Sequence, residues 1–118
     1  VRAHDPGAAP VGVPVAAGAV GALTWMVVGL LRVEVHIPAA RSLKDKRSVM
    51  KSLKDQVRGR FNVSASEVEP NEKWQRASLG IATVSGERRV VERCLRQIVD
   101  WMRENRLIEL IRVEQELW

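Results

Sequence analysis

The chain has little of what small proteins use to build a reactive site. Its 118 residues include one cysteine, Cys94, two histidines, His4 and His36, one phenylalanine and no tyrosine. A single cysteine excludes an internal disulfide and any cysteine-based zinc centre. Neither histidine has a second histidine or a cysteine at ligand spacing, so no metal is expected. There is no phosphate-cradling P-loop, no dinucleotide-binding glycine pattern and no nucleophile elbow. Enzyme activity is therefore not expected, and no cofactor is called for.

Charge is missing from one long run, Gly7 to Leu31. A membrane span or signal peptide would need an unbroken apolar stretch. Here the run is mostly Ala, Gly and Pro, and Pro10 and Pro14 interrupt it. Arg2 and Asp5 cancel, so the start has no net basic charge despite the Ala-x-Ala pattern at Ala17 to Ala19. No membrane association is expected. Residues 1–25 are read as an upstream extension from an early start assignment, or a disordered tail. Met26, directly before an apolar strand, is the natural first residue of a single domain over 26–118.

Basic charge is what the chain does have. Nineteen Lys and Arg against fourteen Asp and Glu give a net charge of +5 and a pI near 10.1. Because residues 1–25 sum to zero, the whole excess lies on 26–118. A basic surface favours a polyanionic partner.

That charge is concentrated in Ser42 to Arg60, which reads as one amphipathic helix. Ser42 caps it, and Asp45 three residues later puts a carboxylate at the positive end of the helix. Met50, Leu53 and Val57 recur at helical spacing and form the buried stripe, with Leu43 and Val49 flanking. Lys44, Arg47, Lys51, Lys54 and Arg58 recur at steps of three and four. They define a second stripe, roughly 120° around the helix from the first. Asp55 is the main interruption, and Arg41, Lys46 and Arg60 add to the density.

The remaining elements follow from periodicity. Val27 to Ile37 alternates apolar Val33, Val35 and Ile37 with Arg32, Glu34 and His36, a strand with one face to a core. Pro38 ends it. Phe61 to Val68 is a short strand, Glu69 to Glu72 a turn, and Gln75 to Val84 a second clear strand. Its Ser78, Gly80 and Ala82 form a small face that admits the close approach of another element. Ser85-Gly86-Glu87 opens a second helix to about Asn105, with Val91, Leu95, Ile98 and Met102 buried. Leu107 to Leu117 is the last strand. Strand, helix, strand, strand, helix, strand is a pair of split βαβ units. The expected fold is α+β and ferredoxin-like, a two-layer sandwich of a four-stranded antiparallel sheet with both helices on one face.

Several residues group into a pattern that resembles a family. Val28-Gly29-Leu30-Leu31 with Glu34 and His36-Ile37-Pro38, then Arg41-Ser42-Leu43-Lys44-Asp45-Lys46-Arg47, Phe61-Asn62-Val63-Ser64 and Trp74-Gln75-Arg76, resemble the YlxP-like family of small bacterial proteins, a domain of unknown function. The resemblance covers about Met26 to Trp118. It implies a ferredoxin-like fold in the cytoplasm. Genes of that family occur among those for transcription and translation factors, including a ribosome maturation factor, which implies an association with RNA or ribosomes. The family has no established catalytic residues, so none transfer.

Weighed together, the basic helix edge is read as a phosphate-contacting surface formed by Arg41, Lys44, Lys46, Arg47, Lys51, Lys54 and Arg58. The competing reading of such a run is a solvated helix face. Base stacking on the sheet is not expected, because Ala77 to Val84 carries no aromatic. Acylphosphatase-like chemistry is not expected either, since the loop Ile37 to Ser42 lacks glycine. Trp101 and Cys94 read as core residues, Trp74 as edge packing, and His36 as a surface residue beside Glu34. The expected function is binding of RNA or a ribosomal particle in support of translation or ribosome maturation. The alternative is a protein–protein adaptor, a homodimer through the open sheet face or a free strand edge.

Overall fold

The computed structural model describes residues 25–118. The expectation of a separate N-terminal extension falls on residues that lie outside the described ones, apart from Trp25. Six elements follow one another: β1 (Val27–His36), α1 (Leu43–Arg60), β2 (Ser64–Val68), β3 (Arg76–Ser85), α2 (Arg88–Arg103) and β4 (Glu109–Leu117). The strands form one sheet in the order β2-β3-β1-β4, with every neighbouring pair antiparallel. This is the expected ferredoxin-like α+β sandwich.

The period-two pattern of β1 sets the two faces of the sheet. Leu31, Val33, Val35 and Ile37 are buried beneath the helices, while Arg32, Glu34 and His36 lie on the other side. Leu79 and Ile81 of β3 join them, as do Met50, Leu53 and Val57 from α1 and Val91, Leu95, Ile98 and Met102 from α2. The two helical stripes therefore meet the central strands in one core. At 25 cal/mol per Å2, burying each such side chain contributes about 1.5–3 kcal/mol.

Two glycines mark close approaches. A Cβ on Gly29 would lie 2.4 Å from Val91 Cγ1 and 3.0 Å from Leu95 Cδ1, so α2 presses directly on the β1 backbone. A Cβ on Gly80 would lie 2.9 Å from Val68 Cγ1. The element that uses the small face of β3 is thus the neighbouring strand, through Val68.

Element boundaries shift where side chains take backbone partners. Ser42 is the cap, as expected: its Oγ accepts from the Asp45 N–H at 3.0 Å. Asp45 Oδ2 accepts in turn from the Arg41 N–H at 2.9 Å, one residue before the usual capping-box partner. The first short strand starts at Ser64 instead of Phe61, because Phe61 closes α1 by donating its N–H to Val57 O at 3.0 Å. The Phe61 ring meets Trp101 edge-on with centroids 6.3 Å apart, and the Arg60 guanidinium lies 5.4 Å above the same indole. α2 ends at Arg103, short of Asn105, whose Oδ1 accepts from the Leu107 N–H at 2.9 Å and turns the chain. The last strand accordingly begins at Glu109.

β4 departs most from a buried strand. Its ladder with β1 slips between Glu34 and Val35, leaving Ile111 as the extra residue of a bulge. α2 lies chiefly over β1 and β3, so most of β4 is exposed on both faces.

Gly29→Ala forces a methyl into the β1–α2 contact and is expected to destabilise the protein by about 1–3 kcal/mol, as overpacked cores do. A urea melt of the variant with an unchanged midpoint would contradict that close contact.

Candidate nucleic-acid interface

The α1 cations separate into groups once their partners are traced. Arg41, Lys44, Arg47 and Lys51 are exposed, and Lys54 is half-buried. Among the described residues, no carboxylate lies within 4.0 Å of the side chains of Arg41, Lys44, Arg47 or Lys54. Lys51 Nζ lies 2.9 Å from Asp55 Oδ2, one turn along the helix. Asp55 reports the local field. The Lys51 hydrogen bond holds its carboxyl below the usual carboxylate range, against an opposing effect of desolvation, and the nearby charges of Lys51, Lys54 and Arg58 add to the lowering. Arg58 is exposed but committed, because its guanidinium donates to Ala65 O of β2 at 2.8 Å.

Lys46 corrects the expected surface. It is 2% exposed and belongs to the buried stripe, not to the phosphate-facing edge. Its spacing explains why: positions 46, 50, 53 and 57 recur at four, three and four residues, so Lys46 continues the Met50–Leu53–Val57 row by one turn. Its Nζ donates to Asn71 O at 2.8 Å, Asn71 Oδ1 at 3.2 Å and Arg76 O at 3.2 Å. A lysine ammonium has three N–H donors, and all are used. Asn71 Oδ1 also accepts from the Lys73 N–H at 2.8 Å. The segment joining β2 to β3 is thereby tied to the first turn of α1.

The same segment carries Trp74, which is 56% exposed instead of packed on the sheet edge. Lys73 beside it is also exposed. Sequence reasoning missed this placement, because only the Lys46 bonds reveal that the loop reaches the start of α1.

The open sheet face has a different character. Arg32 bonds Glu69, lies 2.9 Å from Glu114 and donates to Ser78 Oγ at 3.3 Å. Arg76 pairs with Glu34 at 3.4 Å and Arg112 with Glu114 at 3.4 Å. His36 Nδ1 lies 3.0 Å from Glu109 Oε1, so its carboxylate neighbour is across the sheet and not Glu34. Glu69 adopts a left-handed backbone, φ 52°, as it leaves β2. Beside this network Leu30, Ser66, Val68, Gly80 and Ala82 line an open depression of about 460 Å3.

Cys94 is half-buried, and desolvation pushes its thiol up, with a weaker opposing hydrogen bond from Thr83. That leaves less thiolate at neutral pH and suits a packing residue. Among the described residues no group of three or more His, Cys, Asp or Glu is placed to hold a metal ion. No helix among them is long and apolar enough to cross a membrane.

Comparison with known proteins places the chain in a family. The family model described as "Protein of unknown function (DUF503)" matches residues 28–115, and the chain belongs to that family. The chain is 41% identical over 73 residues to the "Uncharacterized protein YlxP" of Bacillus subtilis (strain 168), a match spanning 62% of this chain and 79% of that protein. Among solved structures it is similar to the "De novo designed protein Foldit4", with a TM-score of 0.46 and 15% identity over 79% of this chain and 96% of that one.

Lys46→Met keeps the length of the side chain and removes its three donors. It is expected to cost about 2 kcal/mol or more, since it removes hydrogen bonds from a charged donor, each worth about 1.5–3 kcal/mol. Lys51→Ala breaks only an exposed pair and is expected to cost under about 0.5 kcal/mol. Chemical denaturation of both variants checks this ordering, and equal costs would contradict the structural role of Lys46.

Proposed function

We propose that this family member is a cytoplasmic RNA-binding protein that docks on phosphate through the outer flank of α1, on RNA such as a ribosomal particle presents, and so assists translation or ribosome maturation. The observation that carries the reading is the contrast in pairing. Arg41, Lys44, Arg47 and Lys54 have no carboxylate partner among the described residues, whereas Arg76 and Arg112 on the sheet face each have one and Arg32 has two. A phosphate backbone offers the missing counter-charge at regular spacing, and binding releases the counterions condensed on it.

Lys51 joins the flank by releasing Asp55, an exposed pair of small net value. Lys46 takes no part, and Arg58 contributes field more than contact. Phosphate contacts of this kind position the protein without reading sequence. The exposed Trp74, on the loop that Lys46 holds, offers one flat surface for stacking an unpaired base, with Lys73 beside it.

Four or five phosphate contacts give a slope of roughly −3 to −5 in log affinity against log salt. The double variant Lys44→Glu with Lys54→Glu reverses two unpaired charges and is expected to weaken binding by about tenfold or more at low salt. Fluorescence anisotropy with a labelled RNA hairpin, read alongside circular dichroism, checks this. Unchanged affinity in the folded double variant would remove α1 from the site.

A further inference from the structure

The two edges of the sheet differ in a way that points to a second copy of this chain. β2 is five residues long, and Arg58 occupies its Ala65 carbonyl. β4 is nine residues long, and no side chain among the described residues bonds its backbone. Long free edges of this kind are sites for strand addition unless they are blocked.

The direction of the free groups on β4 follows from its end. Val28 and Trp118 exchange both backbone bonds, Val28 N to Trp118 O at 3.1 Å and Trp118 N to Val28 O at 2.8 Å. In an antiparallel ladder such pairs alternate with pairs whose N–H and C=O point away. Glu116, Glu114 and Arg112 therefore bond β1, opposite Leu30, Arg32 and Glu34. Val113 and Gln115 turn their backbone groups outward.

We propose that the protein forms a two-fold dimer by antiparallel pairing of β4 with β4 of a second copy, centred on Val113. In that register Val113 faces its own copy with outward N–H and C=O on both sides, the geometry of a hydrogen-bonded pair. Arg112 then lies opposite Glu114 of the other chain, and Glu114 opposite Arg112, on the same sheet face. The strand sequence Arg112-Val113-Glu114 is thus self-complementary in charge about its centre, and opposite charges directly across strands favour the pairing. Moving the centre to Arg112 or to Glu114 puts like charges against each other.

The apolar exposure fits the same contact. Val113 is 36% and Ile111 42% exposed, on a strand that α2 leaves largely uncovered. Pairing brings the two Val113 side chains together on the helix side and sets Ile111 beside Gln115 of the other copy. With α2 over β1 and β3, the two α2 helices stand about four strand spacings apart, roughly 19 Å, well beyond the 8–10 Å of packed helices. Nothing on that side obstructs the joined eight-stranded sheet, twice the four strands of one copy.

The test is sedimentation velocity of the full chain at roughly 1–100 μM, a range suited to an interface of small area. The wild type is expected to sediment at twice its 13.2 kDa. Arg112→Glu sets carboxylates opposite each other and is expected to shift the species to monomer at the same concentrations. Adding Glu114→Arg to Arg112→Glu restores opposite charges and is expected to restore the dimer. Val113→Pro removes an N–H that only the second copy uses, and should also give a folded monomer by circular dichroism. A wild type that stays monomeric throughout would overturn the proposal, as would a dimer that both Arg112→Glu and Val113→Pro leave intact.

Discussion

One buried ammonium ties the β2–β3 segment to the start of the first helix. Lys46 has no carboxylate partner among the described residues, and its charge is tolerated because two oxygens of Asn71, in the β2–β3 segment, and the carbonyl of Arg76, at the start of β3, accept its three hydrogens. Those bonds fix the segment against the first turn of α1. They place Trp74 outside the core and withdraw one cation from the helix surface. The position is dictated by the helix itself, since Lys46 continues the apolar row by one turn and has nowhere else to point. Replacing such a group by an apolar one gives up the charge-assisted hydrogen bonds that tie the segment down.

The rest of the charge is sorted by the fold. On the open sheet face arginines and carboxylates alternate across strands and neutralise one another, with Arg32 between Glu69 and Glu114 as the hub. On the outer flank of α1 the carboxylate Asp55 sits among Lys51, Lys54 and Arg58. The charge on the sheet face is thus largely paired off, while the outer flank of α1 keeps cations without a carboxylate partner among the described residues. The two edges are likewise unequal. β2 is short and capped by Arg58, while β4 is long and open. The proposed RNA contact, through α1 beside β2, and the proposed self-pairing through β4 draw on different residues.

Much of the fold was legible because each element carries its own period. Alternation in β1 and the Met50–Leu53–Val57 and Val91–Leu95–Ile98–Met102 rows are local signals, and the order of elements then restricts topology to one familiar arrangement. What stayed illegible depended on contacts between distant segments. Lys46 was counted with the surface cations by residue type, although its spacing with Met50 places it in the core. Phe61 looked like a strand residue, but its backbone closes α1 and its ring seeks Trp101. Trp74 gave no hint of exposure, since the bond holding its loop joins residues 25 apart. Of the candidate surface, Lys44, Arg47, Lys51 and Lys54 follow the helical period along one side of α1, and Arg41 precedes the helix. Lys46 and Arg58 are committed elsewhere.

The most direct test of the central claim is co-sedimentation of the full chain with ribosomal particles through gradients of stepped salt. An unpaired cationic flank predicts that the protein travels with a particle at low salt. It should then leave steeply as salt rises, with a slope of several ions. Protein that remains at the top of the gradient at every salt would contradict the claim, and the α1 cations would then be a solvated helix face.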